Sequence, residues 1–196
     1  MKAEQAAEIL KTFKWDVLRS IYGCAHSSLI GFFSTMWIEQ SKDNSVLDGA
    51  PSPITGGRRA GQKNADILLC KRDRPFIVVE VETNVAKYQD KLRSIQAYLQ
   101  NNMAYAGIEL GMMVMTNLCK GNMKYKHNWS MIKDEVGKSR DNVALVSIEK
   151  KRASLDQSVL DKLRRRNDYY PWEIVNIDYW VHDESGATSE GNLLTG

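Results

Sequence analysis

The chain has 196 residues, of which 43% are apolar and 26% charged, with a formal net charge of +3. No apolar run reaches the roughly 18–20 residues of a membrane span, and the three cysteines have no metal-ligand spacing. These values exclude a membrane-spanning protein and a disulfide scaffold, and they favour a cytoplasmic protein with reduced cysteines. We expect a single domain over residues 1–183, followed by a flexible acidic tail over residues 184–196.

The first forty residues predict one or two amphipathic helices. Apolar residues recur there at helical spacing and share one face: Ile9, Leu10, Phe13, Val17 and Ile21. The segment 52–64 is rich in Gly, Pro and Arg, which predicts a loop. Within it, Gly56–Gln62 is a candidate for a short outer strand.

Residues 65–83 predict a tight β-hairpin. A short apolar run and a β-branched run are joined there by five turn-type residues, one of which is proline. We place the centre of the turn at Asp73, and this register pairs Cys70 with Phe76.

Three acidic residues gather at the open end of this hairpin. Counted outward from the turn, Asp66 lies directly opposite Glu80, and Glu82 shares a strand face with Glu80 because side chains alternate. Opposed like charges are destabilising, whereas Mg²⁺ between two carboxylates would attract both. The pattern therefore predicts a metal site. The alternative is that strand ends turn polar where they meet solvent, which explains one glutamate but not the register with Asp66.

A crossover helix and a buried strand follow the hairpin. Residues 85–101 predict a helix with an apolar stripe at helical spacing: Tyr88, Leu92, Ile95 and Leu99. The apolar run 107–117 predicts a buried strand beside the second hairpin strand. The expected core order is therefore helix, strand, strand, strand, helix, strand.

Basic residues surround the acidic hairpin. The six acids after residue 166 have no Lys or Arg among them, so residues 1–166 carry a net charge of +9. We expect four basic residues near the hairpin to bind the phosphates of a nucleic acid: Arg58, Arg59, Lys63 and Arg72. The basic run 164–166 has two interpretations, namely DNA contact or a helix terminus whose charge matches the helix dipole.

This order of elements, with the pattern Asp66…Glu80-x-Glu82, resembles the PD-(D/E)xK nuclease superfamily. The resemblance spans about residues 55–118 and departs from the family pattern at two positions. Ala65 stands where the family commonly has proline, and Glu82 stands where it usually has lysine. The Glu-x-Glu form is similar to that of BamHI-type type II restriction enzymes. The resemblance implies an α/β, restriction-endonuclease-like fold, with a mixed central sheet flanked by helices and an αβββαβ core.

The resemblance also implies roles for the acidic residues. Asp66 and Glu80 would hold Mg²⁺, for which Mn²⁺ would substitute, and the Val81 carbonyl is a candidate third ligand. The metal would lower the pKa of a bound water and stabilise charge on the scissile phosphate. Glu82 would orient or deprotonate that water, or help to bind a second ion.

Two lysines are candidates to supply the charge of the missing family lysine. Lys87 and Lys91 are four residues apart, so they lie on one face of the predicted helix near its start. The alternative is that both are solvated surface residues beside the apolar stripe.

The implied function is a Mg²⁺-dependent DNA endonuclease, which we expect to be a type II restriction endonuclease. Such an enzyme would act on duplex DNA as a homodimer, since a two-fold protein matches a palindromic site. Two alternatives stay open. One is a structure-specific nuclease of repair, recombination or a mobile element, and the other is a module of the same fold that binds nucleic acid without cutting it.

Overall fold

The computed structural model describes residues 1–19, 25–48, 64–100, 105–116, 118, 124–152, 158 and 172–194. The helices in these ranges are α1 (Ala3–Thr12), α2 (Trp15–Val17), α3 (His26–Gln40), α4 (Tyr88–Leu99) and α5 (Lys124–Val136). The strands are β1 (Asn44–Leu47), β2 (Ile67–Lys71), β3 (Arg74–Glu82), β4 (Leu110–Thr116), β5 (Val143–Arg152), β6 (Trp172–His182) and β7 (Thr188–Asn192). None of the described helices has the length and apolarity that crossing a membrane requires.

The described strands form one mixed sheet, in which spatial order follows sequence order from β1 to β7. Strands β3, β4 and β5 are parallel, and the strands on either side of them pair antiparallel. One apolar cluster joins α1 and α3 to one face of the sheet, and a second joins α4 and α5 to the other face. The predicted α/β class is therefore confirmed, and the central strands are apolar on both sides because both sides are covered.

The order of elements before and after the hairpin agrees with the prediction. The amphipathic helix expected in the first forty residues is present as α1, with Leu10 buried, and Phe13 is buried directly after it. Ile21 lies outside the described residues. The first strand of the sheet is β1, directly after α3, and the predicted outer strand Gly56–Gln62 lies outside the described ranges. The sequence α3, β1, β2, β3, α4, β4 is nevertheless the expected helix, strand, strand, strand, helix, strand.

Helix α4 begins at Tyr88, three residues after the predicted start at Val85. The Asn84 side chain accepts the N–H of Ala86 and the Asn84 carbonyl accepts the N–H of Lys87, which holds this segment as a single 3-10 turn. The predicted apolar stripe faces the sheet, and its first three members are buried. Strand β4 is fully buried and parallel to β3, as expected for a strand reached through a crossover helix.

The hairpin turn is tighter than predicted. Arg72 and Asp73 both have positive φ, at 50° and 59°, as in a two-residue type I′ turn. Strands β2 and β3 therefore extend to Lys71 and Arg74, which pair directly. The predicted five-residue loop is wrong because strand pairing continues into it.

A β-bulge at Phe76 compensates for the shorter turn. Cys70 pairs with Pro75 rather than with Phe76, which was predicted to face it. Phe76 is thus the extra residue on β3, and its ring stacks on Trp37 with centroids 6.1 Å apart. Beyond the bulge, the register of the two strands is the predicted one.

The chain after β6 is folded over most of the predicted acidic tail. Residues 188–192 form β7, which pairs with β6, so the expected flexible tail over 184–196 is wrong for this range. The Asp183 carboxylate accepts hydrogen bonds from the Ser185 hydroxyl and from the N–H groups of Ala3, Ser185 and Ala187. These bonds, led by that of the Ser185 hydroxyl, lower the pKa of Asp183 to about 2. They tie the start of α1 to the β6–β7 turn.

Candidate active site

The two opposed carboxylates lie at the carboxyl end of β3. Ile67 pairs with Val79, and one further step in this register brings Asp66 opposite Glu80, as predicted. Glu80 points toward α4, because its strand neighbours on that face belong to the cluster under this helix. In open α/β sheets, ligands bind at the carboxyl ends of the strands, and this is where the acidic pair lies.

The side chain of Lys91 bridges the two carboxylates. Its Nζ lies 2.8 Å from Asp66 Oδ2 and 2.6 Å from Glu80 Oε2. The Lys91 side chain is only 23% exposed, so it is not a solvated surface lysine. Of the two interpretations of Lys91, the structure therefore excludes the surface one.

Three further groups hold the carboxylates in place. The N–H of Val81 donates to Asp66 Oδ2 at 2.7 Å, and the hydroxyl of Ser94 donates to Glu80 Oε1 at 2.6 Å. The imidazole Nε2 of His26, the first residue of α3, lies 3.3 Å from Asp66 Oδ1. Each of the four carboxylate oxygens thus has a partner within 3.3 Å.

The pKa values of the two acids are shifted in opposite directions. Glu80 is 1% exposed, and this burial raises its pKa from 4.5 to about 7, against the opposing effects of Lys91 and Ser94. Burial also acts on Asp66, but the hydrogen bonds from Lys91 and Val81 hold the pKa of Asp66 below its ordinary value. Although burial opposes the charge of Lys91, Glu80 and Asp66 raise the pKa of this ammonium.

A cleft of about 340 Å³ opens beside the paired carboxylates. Seven of the described residues line it: Asn64, Glu80, Glu82, Lys87, Asp90, Lys91 and Ser94. Glu82 is 9% exposed, and its Oε1 accepts the N–H of Asn84 at 2.7 Å. Lys87 is exposed. The cleft therefore combines acidic and basic groups around the site that the hairpin register predicts.

Of the four predicted DNA-binding residues, Arg72 is the one within the described ranges, and it does not line this cleft. Arg72 lies in the hairpin turn, at the other end of β3, where its Nε is 3.5 Å from Asp43 Oδ2. The six steps along the strand from Arg74 to Glu80 correspond to about 20 Å. Arg72 thus does not flank the acidic pair as expected, because the hairpin carries it away from the open end. Arg58, Arg59 and Lys63 lie outside the described residues.

Sequence reasoning missed two residues of this cluster. Ser94 is one helical turn beyond Lys91, and this spacing is a signal that could have identified it. His26 is forty residues from Asp66 in the chain, and its local sequence carries no comparable signal. Only the packing of α3 against the sheet brings His26 to the carboxylate.

The donor set fits a hard divalent cation. Asp66 and Glu80 offer carboxylate oxygens, which Mg²⁺ prefers, and both already share one positive group, the Lys91 ammonium. Within the described ranges, no three His, Cys, Asp or Glu side chains converge as a ready metal site. A cation here would be held by the two carboxylates, with the carbonyl of Val81, the residue after Glu80, as the candidate third ligand.

Comparison with known proteins does not assign the chain to a family. No family model matches the sequence, and no curated protein matches it significantly.

Proposed function

We propose that this protein is a Mg²⁺-dependent DNA endonuclease of the restriction-endonuclease-like fold. The observation that supports it most is the Lys91 ammonium, held within 2.8 Å of both Asp66 and Glu80. A lysine beside two opposed carboxylates is the group that the Glu-x-Glu pattern lacks on β3. In this proposal, Lys91 on α4 supplies the positive charge that the family usually carries on the strand, where this chain has Glu82.

The arrangement of the sheet supports the same proposal. The elements α3, β1, β2, β3, α4 and β4 follow the αβββαβ order of the restriction-endonuclease-like core. The acidic pair lies at the carboxyl end of a central parallel strand, and α4 begins beside it. This is the part of the fold in which the resemblance locates the nuclease site.

Each residue of the cleft has a role in the proposed reaction. Mg²⁺, when bound by Asp66 and Glu80, would supply a water of lowered pKa and stabilise charge on the scissile phosphate. Lys91 keeps the two carboxylates together and presents a positive charge to the phosphate. Glu82 orients the attacking water or accepts its proton, and the exposed Lys87 attracts the DNA backbone at the edge of the cleft.

A second candidate is a module of the same fold that binds nucleic acid without cutting it. The bridging position of Lys91 is the observation that favours it, because an ammonium already pairs with both carboxylates. The two candidates differ in one measurable property, namely Mg²⁺-dependent breakage of phosphodiester bonds.

We predict that the protein nicks or cuts plasmid DNA with Mg²⁺ and is inactive with a chelator. Lys91→Met keeps the length of the side chain but removes its charge, so cleavage should fall by at least about 10²-fold. Glu82→Gln should reduce cleavage by at least about 10²-fold, as expected for loss of a general base. Lys87→Met is the matched control, in the 3-10 turn directly before α4, and it should reduce cleavage by less than about 10-fold. Gel electrophoresis of supercoiled plasmid measures all four proteins.

The cleavage products also distinguish the alternatives. Discrete fragments from plain duplex support a restriction enzyme, whereas preference for branched or single-stranded DNA supports a repair or mobile-element nuclease. DNA binding without any Mg²⁺-dependent cleavage contradicts the enzyme proposal and supports the binding module. If Lys87→Met is inactive and Lys91→Met is fully active, the assignment of Lys91 is wrong. The homodimer stays a prediction that sedimentation of the free protein would check.

A further inference from the structure

We infer that Ser94 and Tyr98 are positioning residues that fix the two carboxylates of the site. Together with Lys91 they form one surface of α4, which we call the α4 brace (Lys91, Ser94 and Tyr98). The inference rests on the proposed function for its catalytic meaning, but its contacts are independent of any bound ion.

The α4 brace follows helical geometry. Its members are at positions i, i+3 and i+7 of the helix, so they share one face that points at the β2–β3 hairpin. Ser94 is 4% exposed and Tyr98 fully buried. Polar groups so deep in a helix–sheet interface need partners. Ser94 bonds to Glu80 of the acidic pair, and Tyr98 bonds to the backbone N–H of Ala65, next to Asp66.

Ser94 fixes the orientation of Glu80. Its hydroxyl donates to Glu80 Oε1 at 2.6 Å, while Lys91 Nζ contacts the other oxygen, Oε2, at 2.6 Å. Both oxygens of this buried carboxylate are therefore held by α4. Without the serine hydroxyl, Oε1 would lose the hydrogen bond that keeps the carboxylate plane in its present orientation.

Tyr98 fixes the backbone that carries Asp66. The N–H of Ala65 donates to the Tyr98 hydroxyl at 2.9 Å, and Ala65 is 2% exposed. Burial raises the pKa of Tyr98 to about 12, so the phenol stays neutral. A proline before Asp66 would have no N–H to satisfy. With alanine in this place, the N–H is buried, and Tyr98 supplies the partner that it requires.

The consequence is that α4 sets the relative position of the two carboxylates. Asp66 is held through the neighbouring backbone and Glu80 through its side chain, both from a single rigid helix. Residues that orient metal ligands in this way commonly change metal affinity by 10- to 100-fold when they are removed.

The test compares Ser94→Ala, Ser94→Thr and Tyr98→Phe with the control Gln96→Ala, which truncates a partly buried side chain on the same helix. In calorimetric titration with Mn²⁺, Ser94→Ala should bind at least about 10-fold more weakly than the parent. Ser94→Thr restores the hydroxyl and should recover most of that loss. Gln96→Ala should bind Mn²⁺ like the parent.

A second measurement, amide hydrogen exchange in metal-free protein, needs no metal and no activity. Because Val81 N–H donates to Asp66, its exchange reports on this carboxylate, and Ala65 N–H reports on Tyr98. Tyr98→Phe should speed exchange of both amides by at least about 10-fold. Amides of β5 should keep their parent rates, which separates a local effect from general loosening.

Each outcome bears on one of the two proposals. If Tyr98→Phe leaves the Ala65 and Val81 amides protected as in the parent, Tyr98 does not position Asp66. If Ser94→Ala binds Mn²⁺ as tightly as the parent, Ser94 does not position Glu80. A parent protein that binds no Mn²⁺ contradicts the proposed function, while faster exchange in Tyr98→Phe would still support the brace.

Discussion

Glu80 is the most deeply buried acid among the described residues of the cleft. Its side chain is 1% exposed, and burial raises its pKa to about 7 despite the nearby Lys91 ammonium. An acid whose pKa is raised by folding keeps its proton in the folded state at a pH where the unfolded chain has lost it. The free energy of unfolding therefore decreases as the pH rises from about 4.5 to about 7, because the unfolded state binds fewer protons there.

Replacement of this carboxylate should remove that pH dependence. We predict that Glu80→Gln, which keeps shape and hydrogen-bonding capacity, flattens the decrease in unfolding free energy between pH 4.5 and 7. The difference between the two proteins should change by about 2–3 kcal/mol over this interval. Urea unfolding at several pH values measures it.

The matched control is Glu109→Gln, which makes the same exchange at an exposed position before β4. Its unfolding free energy should follow the pH dependence of the parent. If Glu80→Gln also follows the parent, burial does not hold the proton on Glu80.

At the scale of elements, the contact between α4 and β4 decides where the α4 brace lies. A Cβ built on Gly111 would lie 2.1 Å from Cγ2 of Ile95 and 3.2 Å from Cδ1 of Leu99. Glycine thus allows the helix to approach the sheet closely enough for Lys91 and Ser94 to reach the acidic pair. Because Ile95 is β-branched, its Cγ2 cannot move away without the helix backbone.

We predict that Gly111→Ala lowers the free energy of unfolding by about 1–3 kcal/mol, as overpacking commonly does. The added methyl should push α4 outward and weaken Mn²⁺ binding at the same time. Ile95→Ala in the same chain removes the clashing methyl, so the double variant should lose less stability than the sum of the single variants. Strict additivity, or a Gly111→Ala protein as stable as the parent, would contradict this account of the helix position.

The hairpin shows how far sequence reasoning reaches at this scale. The opposed register of Asp66 and Glu80 agrees with the prediction because the bulge at Phe76 shifts the pairing by the one residue that the shorter turn removes. The type I′ turn at Arg72 and Asp73 was not, because its positive φ values favour Gly or Asn and neither residue is present. The bulged residue Phe76 stacks on Trp37, a tertiary contact that the local sequence does not indicate.

At the scale of the whole molecule, the residues of the candidate site lie at one end of the sheet. Helices α3 and α4 both begin there, with His26 and Lys91 reaching Asp66 from opposite faces of the sheet. The α/β class and the order of the core elements followed from hydrophobic pattern and turn residues. The place of His26 did not follow from the sequence, and Lys91 was predicted as one of two candidate lysines, because a helix pattern gives the spacing of side chains but not the element against which each one packs.

The distribution of basic residues along the sequence did not indicate where Arg72 lies relative to the acidic pair. Arg72 flanks the acids in sequence, yet it lies about 20 Å of strand away from Glu80 and next to Asp43. Residues that are close in sequence can lie far apart in space when an extended strand separates them. DNA contacts by Arg58, Arg59 and Lys63 stay predictions, because these residues lie outside the described ranges.

The central claim is that Asp66 and Glu80 together form one divalent-cation site, and calorimetric titration with Mn²⁺ tests it most directly. We predict saturable binding by the parent, which either Asp66→Ala or Glu80→Ala abolishes while circular dichroism shows an intact fold. The control Asp90→Ala removes an exposed carboxylate from the edge of the same cleft and should retain binding. Mn²⁺ affinity equal to that of the parent in both Asp66→Ala and Glu80→Ala would contradict the claim.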